Sequence, residues 1–139
     1  MMEKLYLALG SNLGDREGNI ERALNLLDSR LNGHFQAVSP MLETKAIDFP
    51  GFDFINCIAV YNCGLDPFEL LDICKSIERE MGRTDGPEYD MEGHRIYHNR
   101  IIDIDILMYG DRKMDTERLI LPHPQVESRP YIKELLLLL

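Results

Sequence analysis

The chain has 139 residues, 45% hydrophobic and 28% charged, with 10 Gly, 7 Pro and 3 Cys, which is the composition of one globular domain able to bury a core. It contains no repeat, charge block or low-complexity run, which excludes disordered, collagenous and solenoid classes. Its formal charge of −9 opposes bulk attraction to nucleic acid or an anionic membrane, so any anionic ligand must be captured locally.

The alternation in Lys4 to Gly10, with Leu5, Leu7 and Leu9 on one face, predicts a short strand. Gly10-Ser11-Asn12-Leu13-Gly14 breaks it, and Asp15 is placed to cap a helix whose Ile20, Ala23, Leu24, Leu27 and Leu31 follow helical spacing. The glycine-flanked loop joins a strand to a helix but matches neither G-x-x-x-x-G-K-[ST] nor G-x-G-x-x-G, so it reads as a packed turn. Residues 35–44 lean toward strand, with Pro40 marking an edge or a bulge. After the loop AIDFPGFD comes a stronger strand, FINCIAVYNC at 54–63, and the two strands suggest a hairpin.

Asp66-Pro67 followed by Glu69 supplies a cap, a first-turn proline and a capping-box acid. They open a helix with Leu70, Leu71, Cys74, Ile77 and Met81 on one side and Gly82 as its stop. Residues 83–99 form a polar loop longer than most connections in compact domains. Ile101 to Tyr109 is the clearest strand, closed by Gly110-Asp111. A short segment at Leu119 to Leu121, the turn Pro122-His123-Pro124 and a last helix from about Arg129 complete the chain. The order β-α-β-β-α-β is that of a split-βαβ, ferredoxin-like α+β sandwich, with a mostly antiparallel sheet and flanking helices in a single domain over residues 1–139.

Cys57, Cys63 and Cys74 form no C-x-x-C pair and read as reduced, buried fillers. The longest apolar stretch, Leu135 to Leu139, is far too short to span a membrane, and residues 1–15 carry no leader pattern. The expectation is a cytoplasmic monomer without nucleic-acid or membrane partners.

The strongest chemical signal lies inside the clearest strand. Alternation puts Asp103 and Asp105 on one face, with Ile102, Ile104 and Ile106 on the other. Two anions roughly 6.5–7 Å apart at Cα repel each other unless partnered. A hard divalent cation resolves this, since Mg²⁺ is usually held by one or two carboxylates plus substrate phosphates; an exposed sheet face paired with arginines is the plainer alternative. Of the 15 Lys and Arg residues, two thirds fall after residue 70; Arg83, Arg95 and Arg100 are disposed to converge near the aspartates, and His123 and Arg129 lie beyond the next turn. Guanidinium forks suit phosphate oxygens, although any one of these arginines is also at home as a solvated surface residue. Phe49, Phe52, Phe54 and Tyr131 are core or loop anchors by type. Asn56 sits inside an apolar strand, where its amide needs partners that a flat ligand with donors and acceptors would supply.

GSNLGDREGNIERAL, RIIDIDILMYG and LILPHP followed by Arg129 together resemble the 6-hydroxymethyl-7,8-dihydropterin pyrophosphokinase family over nearly the whole chain. The resemblance implies a small α+β enzyme of folate biosynthesis that moves the β,γ-pyrophosphate of ATP to the pterin hydroxymethyl group, releases AMP and uses two Mg²⁺ ions. It implies Asp103 and Asp105 as metal ligands. Nucleotide contacts fall on Glu78, Arg83, Arg100, Ile106, His123 and Arg129, and pterin contacts on Thr44, Phe54, Asn56 and Tyr131. Arg83 and Arg100 join the aspartates in the catalytic set, and Arg95 and Tyr97 are loop positions without a fixed register. The loops 45–53 and 83–99 are implied to close over the substrates. Departures stand at Tyr97-His98-Asn99-Arg100, where the family commonly has W-G-P-R, at Lys45 after Thr44 and at Pro124 after the histidine. The loop 83–99 also looks several residues longer than is usual in the family. Two other readings make distinct predictions: a regulatory nucleotide- or pterin-binding domain would release no AMP, and a D-x-D phosphohydrolase would release phosphate or pyrophosphate from ATP without pterin.

Overall fold

The computed structural model describes residues 2–45, 52–82, 88–89, 91–92, 95–96 and 100–139, with only the backbone course given at 88–89 and 95–96. The helices form where caps and apolar spacing direct. Helix α1 (Arg16–Arg30) starts at Asp15, whose side chain accepts from the Gly18 N–H, and α2 (Pro67–Glu80) starts at Asp66, which accepts from the Phe68 and Glu69 N–H groups. Gly82 at φ +106° follows α2, a left-handed turn that favours glycine.

The main sheet runs β2 (Ala37–Val38), β4 (Phe54–Cys63), β1 (Glu3–Ser11), β7 (Asp103–Tyr109), with β3 (Leu42–Thr44) also on β4. The recorded pairings are antiparallel. Because β4 lies between β1 and the β2/β3 edge, the connection through α1 is split, the α+β arrangement expected from the order of elements. One expected strand, residues 35–44, is divided in two around Ser39 and Pro40. Proline cannot donate to the ladder, and the Ser39 hydroxyl takes the Ile58 N–H at 2.8 Å in place of a regular pairing. The expected strand from Ile101 starts two residues later, at Asp103. Within 83–99 the described backbone pairs β5 (Glu88–Tyr89) with β6 (Arg95–Ile96), whereas the sequence suggested only loop. A third ladder joins β8 (Met114–Asp115) to β9 (Ile120–Leu121). The last helix is preceded by a short turn of helix, α3 (Gln125–Ser128) before α4 (Pro130–Leu137), divided at extended Arg129.

Two apolar layers flank the sheet. Leu5, Leu7, Leu9, Cys57, Ile104 and Ile106 pack against α1 and α2 in the larger cluster. Tyr6, Ala8, Ile58 and Leu107 lie on the opposite face, covered by Ile132 and Leu135 of α4. The three cysteines are buried and free of disulfides.

Candidate active site

The second face also carries the polar residues. The register across the central strands aligns Asn56 of β4, Gly10 of β1 and Asp103 of β7, and one pair further along aligns Ile58, Ala8 and Asp105. Side chains at directly opposed positions share a face, so the two aspartates, the bare Gly10 backbone and the Asn56 amide line one continuous strip.

Several of these groups are held in place by the fold. Asn56 is buried, and its Nδ2 donates to Thr44 Oγ1 at 2.7 Å and to the Leu42 carbonyl at 3.3 Å. The protein therefore supplies the amide partners that the sequence left open, which fixes the acceptor oxygen of Asn56 toward Gly10. An added Cβ on Gly10 would lie 3.0 Å from Asn56 Oδ1 and 3.5 Å from Phe54 Cδ1, so glycine keeps the floor between them clear. Arg100 is anchored by its backbone: its N–H donates to Asn12 Oδ1 at 2.5 Å and its carbonyl accepts from the Asn12 N–H at 3.0 Å. Asn12 Nδ2 also donates to the Phe52 carbonyl at 3.0 Å, giving the Gly10–Gly14 turn the packing role expected of it.

Strand β7 lies at the end of the sheet order, and its outer edge is used. Glu78 of α2, only 2% exposed, accepts the Ile104 N–H on Oε2 at 2.8 Å. That amide lies between the two aspartates, so Glu78 acts on the site through the backbone that carries them. This bond adds a supporting role to the nucleotide contact expected of Glu78. Ile106 has the same parity as Ile104 and turns its peptide groups the same way. Although its side chain is buried, it borders a cavity of about 350 Å³ lined also by Leu71, Lys75, Asp105, Arg118 and His123.

His123 is docked onto β7 by its backbone N–H, which donates to the Leu107 carbonyl at 2.8 Å. Its Nδ1 accepts the Gln125 N–H at 3.1 Å, which places the proton of the neutral ring on Nε2 and leaves that nitrogen a donor. Burial, then the Arg129 charge, lowers the His123 pKa, and Asp103 opposes them. Burial raises the Tyr131 pKa; Arg129 opposes that rise, and the charges of Asp105 and Asp103 add to it. Asp105 is pushed up to about 7 by burial, by Asp103 and by Glu78, against the opposing Gln125 hydrogen bond. These couplings gather Asp103, Asp105, His123, Arg129 and Tyr131 into one locus.

Among the described residues, no three His, Cys, Asp or Glu side chains gather as a complete metal cage. The aspartate pair instead offers oxygen ligands only and carries crowded negative charge. That donor set suits Mg²⁺, which completes its shell with phosphate oxygens and water. Arg83, Tyr97 and Phe49 lie outside the described residues, as does most of the 45–53 loop; Arg95 is placed only as backbone in β6. Sequence reasoning missed Lys75, Arg118 and Gln125, which meet the site only through folding. The fixed role of Glu78 had a signal, because a carboxylate four residues after Cys74 falls on the buried stripe of its helix.

A family model described as 7,8-dihydro-6-hydroxymethylpterin-pyrophosphokinase matches residues 6–139. A 2-amino-4-hydroxy-6-hydroxymethyldihydropteridine pyrophosphokinase of Porphyromonas gingivalis is 37% identical over 134 residues, 95% of this chain and 87% of that protein. One of Bacillus subtilis is 34% identical over 91% of this chain and 72% of its own length. A mitochondrial folate synthesis bifunctional protein of Pisum sativum is 38% identical over 94% of this chain and 24% of its own length.

Proposed function

The chain belongs to the 7,8-dihydro-6-hydroxymethylpterin-pyrophosphokinase family, and from that premise we propose how its residues divide the work of moving pyrophosphate from ATP to 6-hydroxymethyl-7,8-dihydropterin in folate biosynthesis. The observation that carries the reading is the register Asn56–Gly10–Asp103. Two interstrand spacings, about 9.5 Å, separate the outer two strands. A bicyclic pterin lying over Gly10 fits that span, with its donor edge on Asn56 Oδ1 and its hydroxymethyl oxygen at the aspartates. Thr44 holds the Asn56 amide in place, and the rings of Phe54 and Tyr131 flank the pterin.

The nucleotide lies along the outer edge of β7. Its base takes the cavity at Ile106, and its phosphates face His123 Nε2–H, Arg100 and Arg129. Arg83 is proposed to join them, and Arg95 and Tyr97 belong to the adjoining loop. Two Mg²⁺ ions held by Asp103, Asp105 and phosphate oxygens would neutralise the triphosphate and lower the hydroxymethyl pKa. In the transfer, the hydroxymethyl oxygen forms a bond to the β-phosphorus, the bond from that phosphorus to the AMP oxygen breaks, and the hydroxyl proton leaves to solvent. The chain supplies alignment and charge. One copy of the chain, working as a single domain over residues 1–139 and as a monomer, is the proposed active unit. Among the described residues no helix is long and apolar enough to cross a membrane, and a cytoplasmic site of action accords with the small-molecule substrates.

Mass spectrometry of the pterin product after incubation with ATP and Mg²⁺ is expected to find the diphosphate ester. A pterin monophosphate would overturn the reading, and ATP breakdown that is indifferent to pterin would favour a hydrolase.

A further inference from the structure

We propose, on the reading that Asp105 holds a cation, that Gln125 is the positioning residue that fixes the Asp105 carboxylate. Gln125 opens α3 two residues after His123 and is itself half-buried. Its backbone N–H is bound to His123 Nδ1 at 3.1 Å, so its Cα is tied to a residue already docked on β7. From that fixed point its side-chain Nε2 reaches Asp105 Oδ2 at 3.2 Å, across 20 residues of sequence. An ionised carboxylate only accepts, so the nitrogen end of the amide faces it.

A donor on Oδ2 stops rotation about the terminal Asp105 bond and leaves Oδ1 and the remaining lone pair of Oδ2 for a cation. The donor is neutral, so it orients the carboxylate without cancelling the charge that attracts the metal; an arginine or lysine here would do both. This is how outer groups orient metal ligands, and losing one costs about 10–100-fold in metal affinity or activity.

Gln125→Met keeps the length of the side chain and the backbone bond to His123 while removing the donor. Binding of Mn²⁺ in the presence of a non-hydrolysable ATP analogue, read by electron paramagnetic resonance of free Mn²⁺, is expected to weaken about 10-fold in Q125M. The cation-free thermal midpoint is expected to stay unchanged, and Q125M added to Asp105→Asn is expected to weaken Mn²⁺ no further. Mn²⁺ affinity in Q125M equal to that of the unaltered chain, or additive losses in the double variant, would overturn the role of Gln125. If D105N loses Mn²⁺ affinity while Q125M does not, only Gln125 is misassigned; if D105N also keeps its affinity, the cation reading fails with it.

Discussion

Asp105→Asn is expected to lose pyrophosphoryl transfer by on the order of 10³-fold, the scale of removing one preorganised electrostatic group from a transition state, and yet to raise the thermal midpoint of the cation-free protein. The opposite signs come from one cause. Burial, Asp103 and Glu78 raise the Asp105 pKa from its ordinary 3.8 to about 7, so the folded chain holds that proton more tightly than the unfolded chain does. Stability from this group is therefore complete below about pH 4, falls as pH rises toward 7, and is absent above it. The neutral amide of Asn removes that loss. Calorimetry in chelator at pH 8 should show D105N melting a few degrees higher, with the gain shrinking toward pH 4. Adding Mg²⁺ with a non-hydrolysable ATP analogue should stabilise the unaltered chain much more than D105N, because the neutral amide at 105 offers the cation no charge. A D105N midpoint below that of the unaltered chain at pH 8 would mean that the site is not electrostatically crowded.

Glu78→Ala has the largest expected effect on the fold. The side chain is 2% exposed and is the hydrogen-bond acceptor for the Ile104 N–H. Truncating it leaves a buried amide without that partner, at a cost of about 1.5–3 kcal/mol for a bond to a charged group. Removing a carboxylate also relieves Asp105, which Glu78 pushes upward, but this relief is smaller because burial and Asp103 remain. Transfer should fall as well, since the peptide between the two aspartates is free to shift. Glu78→Gln separates the contributions, because its carbonyl oxygen still accepts from Ile104 while the negative charge is gone. Its thermal midpoint should match that of the unaltered chain, with the Asp105 pKa lowered. Equal destabilisation by Ala and Gln would show that the charge, including its 3.6 Å approach to Lys75, matters more than the hydrogen bond.

Local pattern made much of the fold legible. Period-two spacing places Asp103 and Asp105 together on β7, and Asp15 and Asp66 cap helices because their side chains meet N–H groups only two or three residues away. The same rule fails at Pro40, where a strand predicted as one piece is divided, and it misses the short α3 at Gln125–Ser128, although the last helix does begin beside Arg129 as expected. The candidate site was half legible. Its proposed ligands are ordinary chemical types in a strand, but their supports come from afar: Glu78 lies 26 residues from Ile104, and Asn12 lies 88 from Arg100. No window of sequence contains those pairs, and they exist only once β7 is seated beside β1 and α2. Asn56 shows the converse, since an amide in an apolar strand invited a ligand as partner, whereas folding itself satisfies the nitrogen and leaves only the oxygen for one.

The negative charge of the chain takes on a local meaning in this light. On the proposed reading, two of its aspartates are the seats offered to cations that accompany a triphosphate, and the arginines assigned to the same locus belong to the later half of the chain.

Pyrophosphoryl transfer is proposed to pass through the Asp103 and Asp105 face of β7. The most direct test is nucleotide product analysis with ATP, Mg²⁺ and 6-hydroxymethyl-7,8-dihydropterin, on the unaltered chain and on Asp103→Ala. AMP formed one-for-one with the pterin diphosphate, and lost in D103A, is the predicted result; ADP as the product, or AMP release undiminished in D103A at saturating Mg²⁺, would contradict it.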